Sequence, residues 1–186
     1  MRTVHIVSPA VALAATLGLG GIASAAPPIH ETFHDQFSFT DDDFCGTGVS
    51  IEGNGTVDGR GMIRATGLEG LIYFAEHVIV ETSFTNPDTG ATMTTVERSV
   101  SKDLHVIDNG DGTLTVVVLA TGNYTMYGAD GKAIGRNPGQ FRFELLVDHG
   151  GTPTDPDDDV ELDFQVLKDS TGRSDDFCAV ALPALT

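Results

Sequence analysis

The 186-residue chain has few basic residues, only two cysteines and no apolar run long enough to cross a membrane. Ten Lys and Arg side chains stand against 27 Asp and Glu side chains, which gives a formal net charge of −17. Nucleic acid and anionic membrane surfaces are expected to repel so acidic a protein. The longest apolar run, residues 11–22, falls short of the roughly 20 residues that span a bilayer. We therefore predict no nucleic-acid partner and no membrane insertion of the mature chain.

Signatures of the common catalytic classes are also missing. The chain has no G-x-S-x-G nucleophile motif and no phosphate-binding glycine loop between a strand and a helix. The segment HETFH, residues 30–34, matches the zinc motif H-E-x-x-H. However, the following residues DQFSFT alternate like a strand, which would separate His30 from His34 by roughly 13 Å, too far to share one zinc ion. The sequence thus predicts no catalytic residue and leaves open whether the protein is an enzyme.

The first 25 residues have the pattern of a secretory signal peptide. Arg2 precedes the apolar run, and the small residues Ala23, Ser24 and Ala25 form the A-x-A triplet that signal peptidase recognises. We predict cleavage after Ala25, a secreted, extracellular protein, and a single domain formed by residues 26–186. For such a protein, the acidic surface indicates solubility, or affinity for cations or basic partners.

Alternation of apolar and polar residues predicts an all-β fold. It is clearest in residues 140–148 and 160–168, where every second residue is apolar. The other predicted strands are residues 33–40, 48–52, 61–66, 71–84, 92–106, 113–121 and 123–127. The predicted turns are residues 53–55, 86–90, 108–112, 128–132 and 137–139, which are rich in Gly, Asn and Asp. Eight or nine strands with short connections favour one antiparallel β-barrel, with a β-sandwich as the alternative.

The order of these features resembles that of small secreted bacterial all-β proteins of unassigned function. The shared features are the signal peptide, an early Cys, the TNPDTG turn at residues 85–90, the DNGDGTLTV hairpin at residues 108–116 and a late Cys. The resemblance covers most of the mature chain and implies the all-β fold. It implies no activity.

The tetrapeptide DDFC occurs twice and contains both cysteines, Cys45 and Cys178. Two cysteines in an exported domain are expected to pair, so we predict a disulfide between them. In a closed barrel this bond would tie the region of the first strand to that of the last.

Two groups of carboxylates are candidate calcium ligands. The first is the acidic loop with Asp155, Asp157 and Asp159, and its alternative interpretation is a solvated surface loop. It is not an EF-hand, because Val160 and Val166 occupy the positions of the required Gly and Glu. The second group would be brought together by the disulfide and consists of Asp42, Asp43, Asp175 and Asp176.

Two residues of the predicted strand 71–84 are candidates for ligand binding. Glu76 shares its face with apolar side chains, so in a barrel lumen it could orient a ligand or act as an acid or base. The alternative for Glu76 is simple exposure to solvent. Tyr73 is a second candidate pocket residue.

Asn54 and Asn123 match the glycosylation triplet, and the sequence does not decide whether either is modified.

These observations favour a secreted, non-catalytic β-barrel that binds a small apolar ligand or an extracellular partner. One alternative is an extracellular barrel enzyme of the dirigent or cyclase type. The other is an acidic, calcium-responsive structural protein.

Overall fold

The computed structural model of the protein describes residues 27–66 and 70–186. The predicted signal peptide lies outside these residues. Within the described residues the chain forms seven strands, one short 3-10 helix and one α-helix: β1 (Ile29–Phe44), β2 (Val49–Thr66), β3 (Leu71–Thr85), β4 (Thr92–Asp108), β5 (Thr113–Gly128), β6 (Ala133–Asp148), the 3-10 helix Pro156–Asp158, β7 (Val160–Lys168) and α1 (Phe177–Leu185).

The seven strands form one antiparallel sheet in which each strand pairs with its neighbours in the sequence. The all-β prediction is confirmed. The predicted barrel of eight or nine strands is wrong, because the sheet is not closed: β1 and β7 are its two edges. Helix α1 packs on one face of the sheet, which we call the helix-side face, and the opposite face is called the far face.

The strand count was too high because two predicted breaks lie inside continuous strands. Apart from Gly48, which lies in the preceding turn, the predicted strands 48–52 and 61–66 both belong to β2, and residues 113–121 and 123–127 both belong to β5. The predicted turns at residues 53–55 and 137–139 are paired segments of β2 and β6. The turns at residues 86–90, 108–112 and 128–132 do connect strands as predicted.

Strand β2 continues through its glycines because aromatic rings of β1 occupy the space above them. Gly53, Gly55, Gly59 and Gly61 alternate along β2 and so lie on one face, the helix-side face. In the antiparallel register, Gly53 is opposite Phe39, Gly55 is opposite Phe37 and Gly59 is opposite Phe33. A Cβ atom on any of these three glycines would collide with the facing ring. The missing side chains therefore make room for the rings, and the segment has no need to turn.

Helix α1, which the sequence did not predict, covers one end of the helix-side face. Its N-cap is Asp176, whose carboxylate accepts a hydrogen bond from the amide of Ala179 at 2.7 Å. At the other end of α1, the side-chain amide of Asn86 donates to the carbonyl of Leu185 at 2.9 Å. The first hydrophobic cluster forms beneath the helix and contains Phe44, Ile51, Phe84, Met93, Met126, Ala181 and Leu185.

A second hydrophobic cluster lies toward the opposite end of the sheet. It consists of Leu71, Val106, Leu114 and Val147, with Tyr73, Val116 and Leu145 packed against it. Both clusters draw on several strands, so each fixes one end of the sheet. The region of the helix-side face between them is less buried.

The predicted disulfide between Cys45 and Cys178 is present, with 5.7 Å between the Cα atoms. Its position differs from the predicted one. Cys45 lies in the turn between β1 and β2, and Cys178 is the second residue of α1. The bond therefore attaches the helix to the end of the sheet and does not join the first strand to the last.

Candidate functional site

The helix-side face carries a strip of polar side chains between the two hydrophobic clusters. Its members come from β3 and β4, and we call them the polar strip: Glu76, Glu97, Ser99, Ser101 and Asp103. Glu76 is opposite Ser101 in the register, and the Ser101 hydroxyl donates to Glu76 Oε1 at 3.0 Å. All five residues are half-buried. Carboxylates are rarely found in half-buried surroundings without a partner, so the polar strip is the leading candidate for a binding site.

Asp103 is the most strongly perturbed carboxylate of the polar strip. Burial raises its pKa to about 6, although its hydrogen bond with the backbone amide of Phe74 lowers the pKa. That amide donates to Asp103 Oδ2 at 2.7 Å. The carboxyl group therefore changes its charge within a pH range in which an ordinary Asp is fully ionised.

Glu97 and Tyr124 face each other across β4 and β5. Burial raises the pKa of Glu97. Burial is also the main reason that the pKa of Tyr124 is raised, and the charge of Glu97 raises it further, whereas a hydrogen bond with Thr95 lowers it. The strip is therefore a partly desolvated acidic environment along most of its length.

Aromatic side chains border the polar strip at both edges of the sheet. At the β1 edge, the rings of Phe37 and Phe39 stack with 6.3 Å between their centroids. At the β6–β7 edge, Phe143 lies 5.3 Å from Phe141 and 5.1 Å from Phe164. Phe37, Phe39, Phe141 and Phe164 remain between 36% and 48% exposed. The helix-side face thus offers apolar contact on both sides of a row of hydrogen-bond acceptors.

Of the two ligand-binding candidates, the structure places only Glu76 in the polar strip. Tyr73 precedes Glu76 by three residues on β3, so the two side chains lie on opposite faces of the strand. Tyr73 packs against the second hydrophobic cluster. Its phenol oxygen accepts a hydrogen bond from the amide of Val106 at 3.2 Å, and the guanidinium of Arg64 lies 5.9 Å from its ring. Tyr73 and Glu76 are therefore not brought together.

Sequence reasoning did not single out Glu97 or Asp103, because β4 reverses the usual pattern. Its inward residues, including Thr95, Ser99 and Ser101, are polar, whereas Val96 and Val100 point toward the far face. An apolar inner face sought in the sequence of β4 would therefore consist of Val96 and Val100, which lie on the far face. The signal that could have found them is the hairpin register with β5, in which Asp103 is opposite buried Val118.

The Asp residues next to the disulfide each have a local partner. Asp42 accepts from the Ser50 hydroxyl at 2.9 Å, and Asp43 accepts from the amide of Gly48 at 2.8 Å. Asp175 accepts hydrogen bonds from Nε and Nη2 of Arg173, and Asp176 caps α1. The disulfide therefore does not gather the four carboxylates around a shared point.

In the acidic loop, Asp155 accepts a hydrogen bond from the amide of Asp157 and caps the 3-10 helix. Asp159 Oδ1 is buried without a hydrogen-bond partner, and burial, with the charge of Asp158, raises the pKa of Asp159. Within residues 27–66 and 70–186, no three His, Cys, Asp or Glu side chains are grouped as a metal site requires. Calcium binding stays a prediction.

The two histidines of HETFH lie in β1, an extended strand, as the alternation of the following residues indicates. His34 Nδ1 lies 2.7 Å from Asp58 Oδ1. Both side chains line a shallow depression of about 480 Å³ on the far face, together with Thr32, Arg60, His77 and Ile79.

Asn54 and Asn123, the glycosylation candidates, lie within β2 and β5, and Asn123 donates to the Thr125 hydroxyl.

Among the residues that the structure describes, no helix combines the length and the apolar character needed to cross a membrane. The disulfide is compatible with an extracellular protein. Comparisons with protein-family models, with curated proteins and with solved structures found no match.

Proposed function

We propose that the protein is a secreted, non-catalytic binding protein whose helix-side face holds a small apolar ligand with a basic group. The observation that carries the proposal is the polar strip, in which half-buried carboxylates lie between two aromatic borders. An ammonium group could donate a hydrogen bond to the Glu76 carboxylate and offset the negative charge of the strip, while a hydrocarbon body contacts Phe37 or Phe141. The open sheet supports a surface groove as the binding site in place of a barrel lumen.

The exposed aromatic rings support the same assignment. Aromatic side chains supply large contact areas at a low cost in conformational entropy, and Phe37, Phe39, Phe141 and Phe164 stay partly exposed on this face although they stack on neighbouring rings. The far face has a different character, because it presents mainly Arg, Lys, Thr and aliphatic side chains.

The test compares two amphiphiles of equal chain length, dodecylamine and dodecanoate, by isothermal titration calorimetry at pH 7.5 and below micelle formation. We expect the parent protein to bind dodecylamine more tightly than dodecanoate. Glu76→Gln should reduce dodecylamine affinity by roughly five- to tenfold, which corresponds to the loss of one charge-assisted hydrogen bond. Dodecanoate affinity should not fall.

The matched control is Glu81→Gln, which removes the same charge from the same strand. Glu81 is exposed on the far face, away from the polar strip. Equal losses in the two variants would mean that dodecylamine responds only to net charge, and the proposed site would be incorrect. Equal binding of both amphiphiles by the parent protein would also contradict the proposal.

A further inference from the structure

The basic residues of this acidic protein are concentrated on the far face. Apart from Arg2, the chain has nine Lys and Arg residues. Seven of them lie in strands. Alternation and register place six of the seven on the far face: Arg60, Arg64, Arg98, Lys102, Arg136 and Arg142. Lys168 is the register partner of Arg142, next to a register shift between β6 and β7. The carboxylates of the polar strip, Glu76, Glu97 and Asp103, lie on the opposite face.

Five of these cations form a continuous group that we call the basic band: Arg60, Arg98, Lys102, Arg142 and Lys168. All five are exposed. Lys102, Leu119, Arg142 and Lys168 are successive register partners across β4 to β7. Neighbouring strands are about 4.8 Å apart, so the charges of this row are spread over roughly 14 Å across the strands. Arg60 and Arg98 extend the band over β2 and β4.

Within the described chain, none of the five cations of the basic band forms an ion pair, although Glu144 lies two residues from Arg142 on the same face. Of the ion pairs formed by Lys and Arg in the described chain, one uses Lys132 and the other uses Arg173, both outside the band. The register row of Arg60 continues through His77, Val100, Thr121 and Gln140, and it contains no acidic residue. Asp58, which borders the band, is already hydrogen-bonded to His34. The positive charges are therefore available to a partner.

We infer that the basic band binds an anionic polysaccharide that runs across the strands. The five cations are exposed and spread over several strands, which suits a linear polymer better than a small enclosed anion. Three of its five cations are Arg, whose planar fork matches carboxylate and sulfate groups. The side chains between the cations are mainly small or aliphatic, namely Ala75, Ile79, Val100, Leu119 and Thr121, and His77 is also among them. A single imidazole offers little area on which the bases of a nucleic acid could stack.

The negative net charge of the whole chain opposes polysaccharide binding less than the magnitude of that charge suggests. At physiological ionic strength, charges separated by more than about 8 Å are largely screened. A polymer lying on the band is within this distance of the five cations, whereas the carboxylates of the polar strip are on the other side of the sheet. The expectation that anionic partners are repelled rests on the net charge of the chain. The local charge at the basic band is positive, so the expectation does not hold for this face.

The test measures binding of the full mature protein to heparin, as a sulfated probe, and to polygalacturonate, as a carboxylated probe, at 20 mM and 150 mM NaCl. The test variant is Arg98→Gln/Lys102→Gln, and the matched control is Lys132→Gln/Arg136→Gln, which removes the same charges outside the band. We expect at least one of the two polysaccharides to bind and its affinity to fall at least tenfold in the test variant at 20 mM NaCl. The control should stay within twofold of the parent, and 150 mM NaCl should weaken binding by the parent.

Single-stranded DNA and vesicles containing anionic lipid are measured in parallel. The inference would be overturned if neither polysaccharide binds the parent, or if both double variants lose affinity equally. It would also be overturned if DNA or the vesicles bind more tightly than both polysaccharides and depend on Arg98 and Lys102. Near-ultraviolet and far-ultraviolet circular dichroism of both variants checks that the fold is retained.

Discussion

Two glycines of β2 show how a single missing side chain shapes the sheet. Gly55 lies beneath the ring of Phe37, and a Cβ atom there would also be 2.6 Å from the backbone carbonyl oxygen of Glu81. Gly61 is on the same face of the same strand, but a Cβ atom there would lie 3.5 Å from the ring of Phe74, which is an ordinary contact. Only the first glycine is required by its surroundings.

We therefore expect Gly55→Ala to lower the free energy of unfolding by about 1–3 kcal/mol, because the backbone of β3 cannot move away cheaply. Gly61→Ala should be neutral or stabilising by up to about 1 kcal/mol, because Ala loses less conformational entropy than Gly in a strand. Urea denaturation of both variants measures the difference. Equal effects would show that Phe37 and the Glu81 carbonyl do not confine Gly55.

The raised pKa of Asp103 gives the protein a pH-dependent stability. The pKa of the carboxyl group is about 6 in the folded chain, against 3.8 for an ordinary Asp, so the folded state binds the proton more tightly. Its contribution to stability is full below pH 4 and is lost as the pH rises through 6. The loss amounts to about 2–3 kcal/mol.

Asp103→Asn should remove this loss, because Asn keeps an acceptor for the amide of Phe74 and carries no charge. We expect the variant to be more stable than the parent at pH 7.5 and to differ little from it at pH 4, as measured by urea denaturation at both values. Asp163→Asn, at an exposed position in β7, is the control and should show no such pH-dependent gain. A constant difference between Asp103→Asn and the parent at both pH values would contradict the assignment.

At the scale of the elements, α1 is attached to the sheet by a covalent bond and by the first hydrophobic cluster. Phe177 packs against Phe44, Phe84 and Tyr124, with 5.7 to 6.2 Å between the ring centroids. The disulfide encloses a sequence separation of 133 residues. Loss of the bond should therefore both weaken the folded state and loosen the helix.

We expect Cys45→Ala/Cys178→Ala to melt well below the parent, with a loss of up to about 5 kcal/mol in the free energy of unfolding from loop closure. Limited proteolysis should then cleave the chain near residues 169–176, which precede α1, before it cleaves the sheet. Addition of a reducing agent should lower the Tm of the parent and leave that of the double variant unchanged. An unchanged Tm of the variant under non-reducing conditions would contradict a stabilising role of the bond.

The elements that the sequence predicted are those whose local pattern agrees with their tertiary surroundings. Strands β6 and β7 alternate clearly in the regions predicted, and the disulfide was identified from the number of cysteines and the predicted signal peptide. The glycines of β2 predict a turn when that segment is considered alone. In the structure they are part of a strand because rings of β1 occupy the space above them. Helix α1 was missed because its sequence, FCAVALPAL, has no polar face and contains Pro183. Its helical state depends on the Asp176 cap and on packing against the sheet.

Part of the candidate site could likewise be predicted. Glu76 was identified because its neighbours at i ± 2 are apolar, which is a property of one strand. Its association with Ser101, and the place of Asp103 in the same strip, depend on strand register. Register is determined by all the hairpins together, so a single segment does not reveal it.

For the whole molecule, the open sheet separates two kinds of surface. The helix-side face combines aromatic rings with half-buried carboxylates, whereas the far face carries the basic band. In a closed barrel one of these faces would be an interior, but in this sheet both are accessible. The two proposed interactions use opposite faces, so a ligand on the polar strip and a polysaccharide on the basic band need not compete.

The pairing of every strand with its sequence neighbour also has a consequence for the order of folding. Each hairpin can form as soon as its second strand has been synthesised or exported, because no strand waits for a distant partner. The link between Cys45 and Cys178 is different, since the two cysteines are 133 residues apart in the sequence. Oxidation of this pair therefore requires a chain that extends past Cys178, and a chain truncated before Cys178 would carry a free thiol at Cys45.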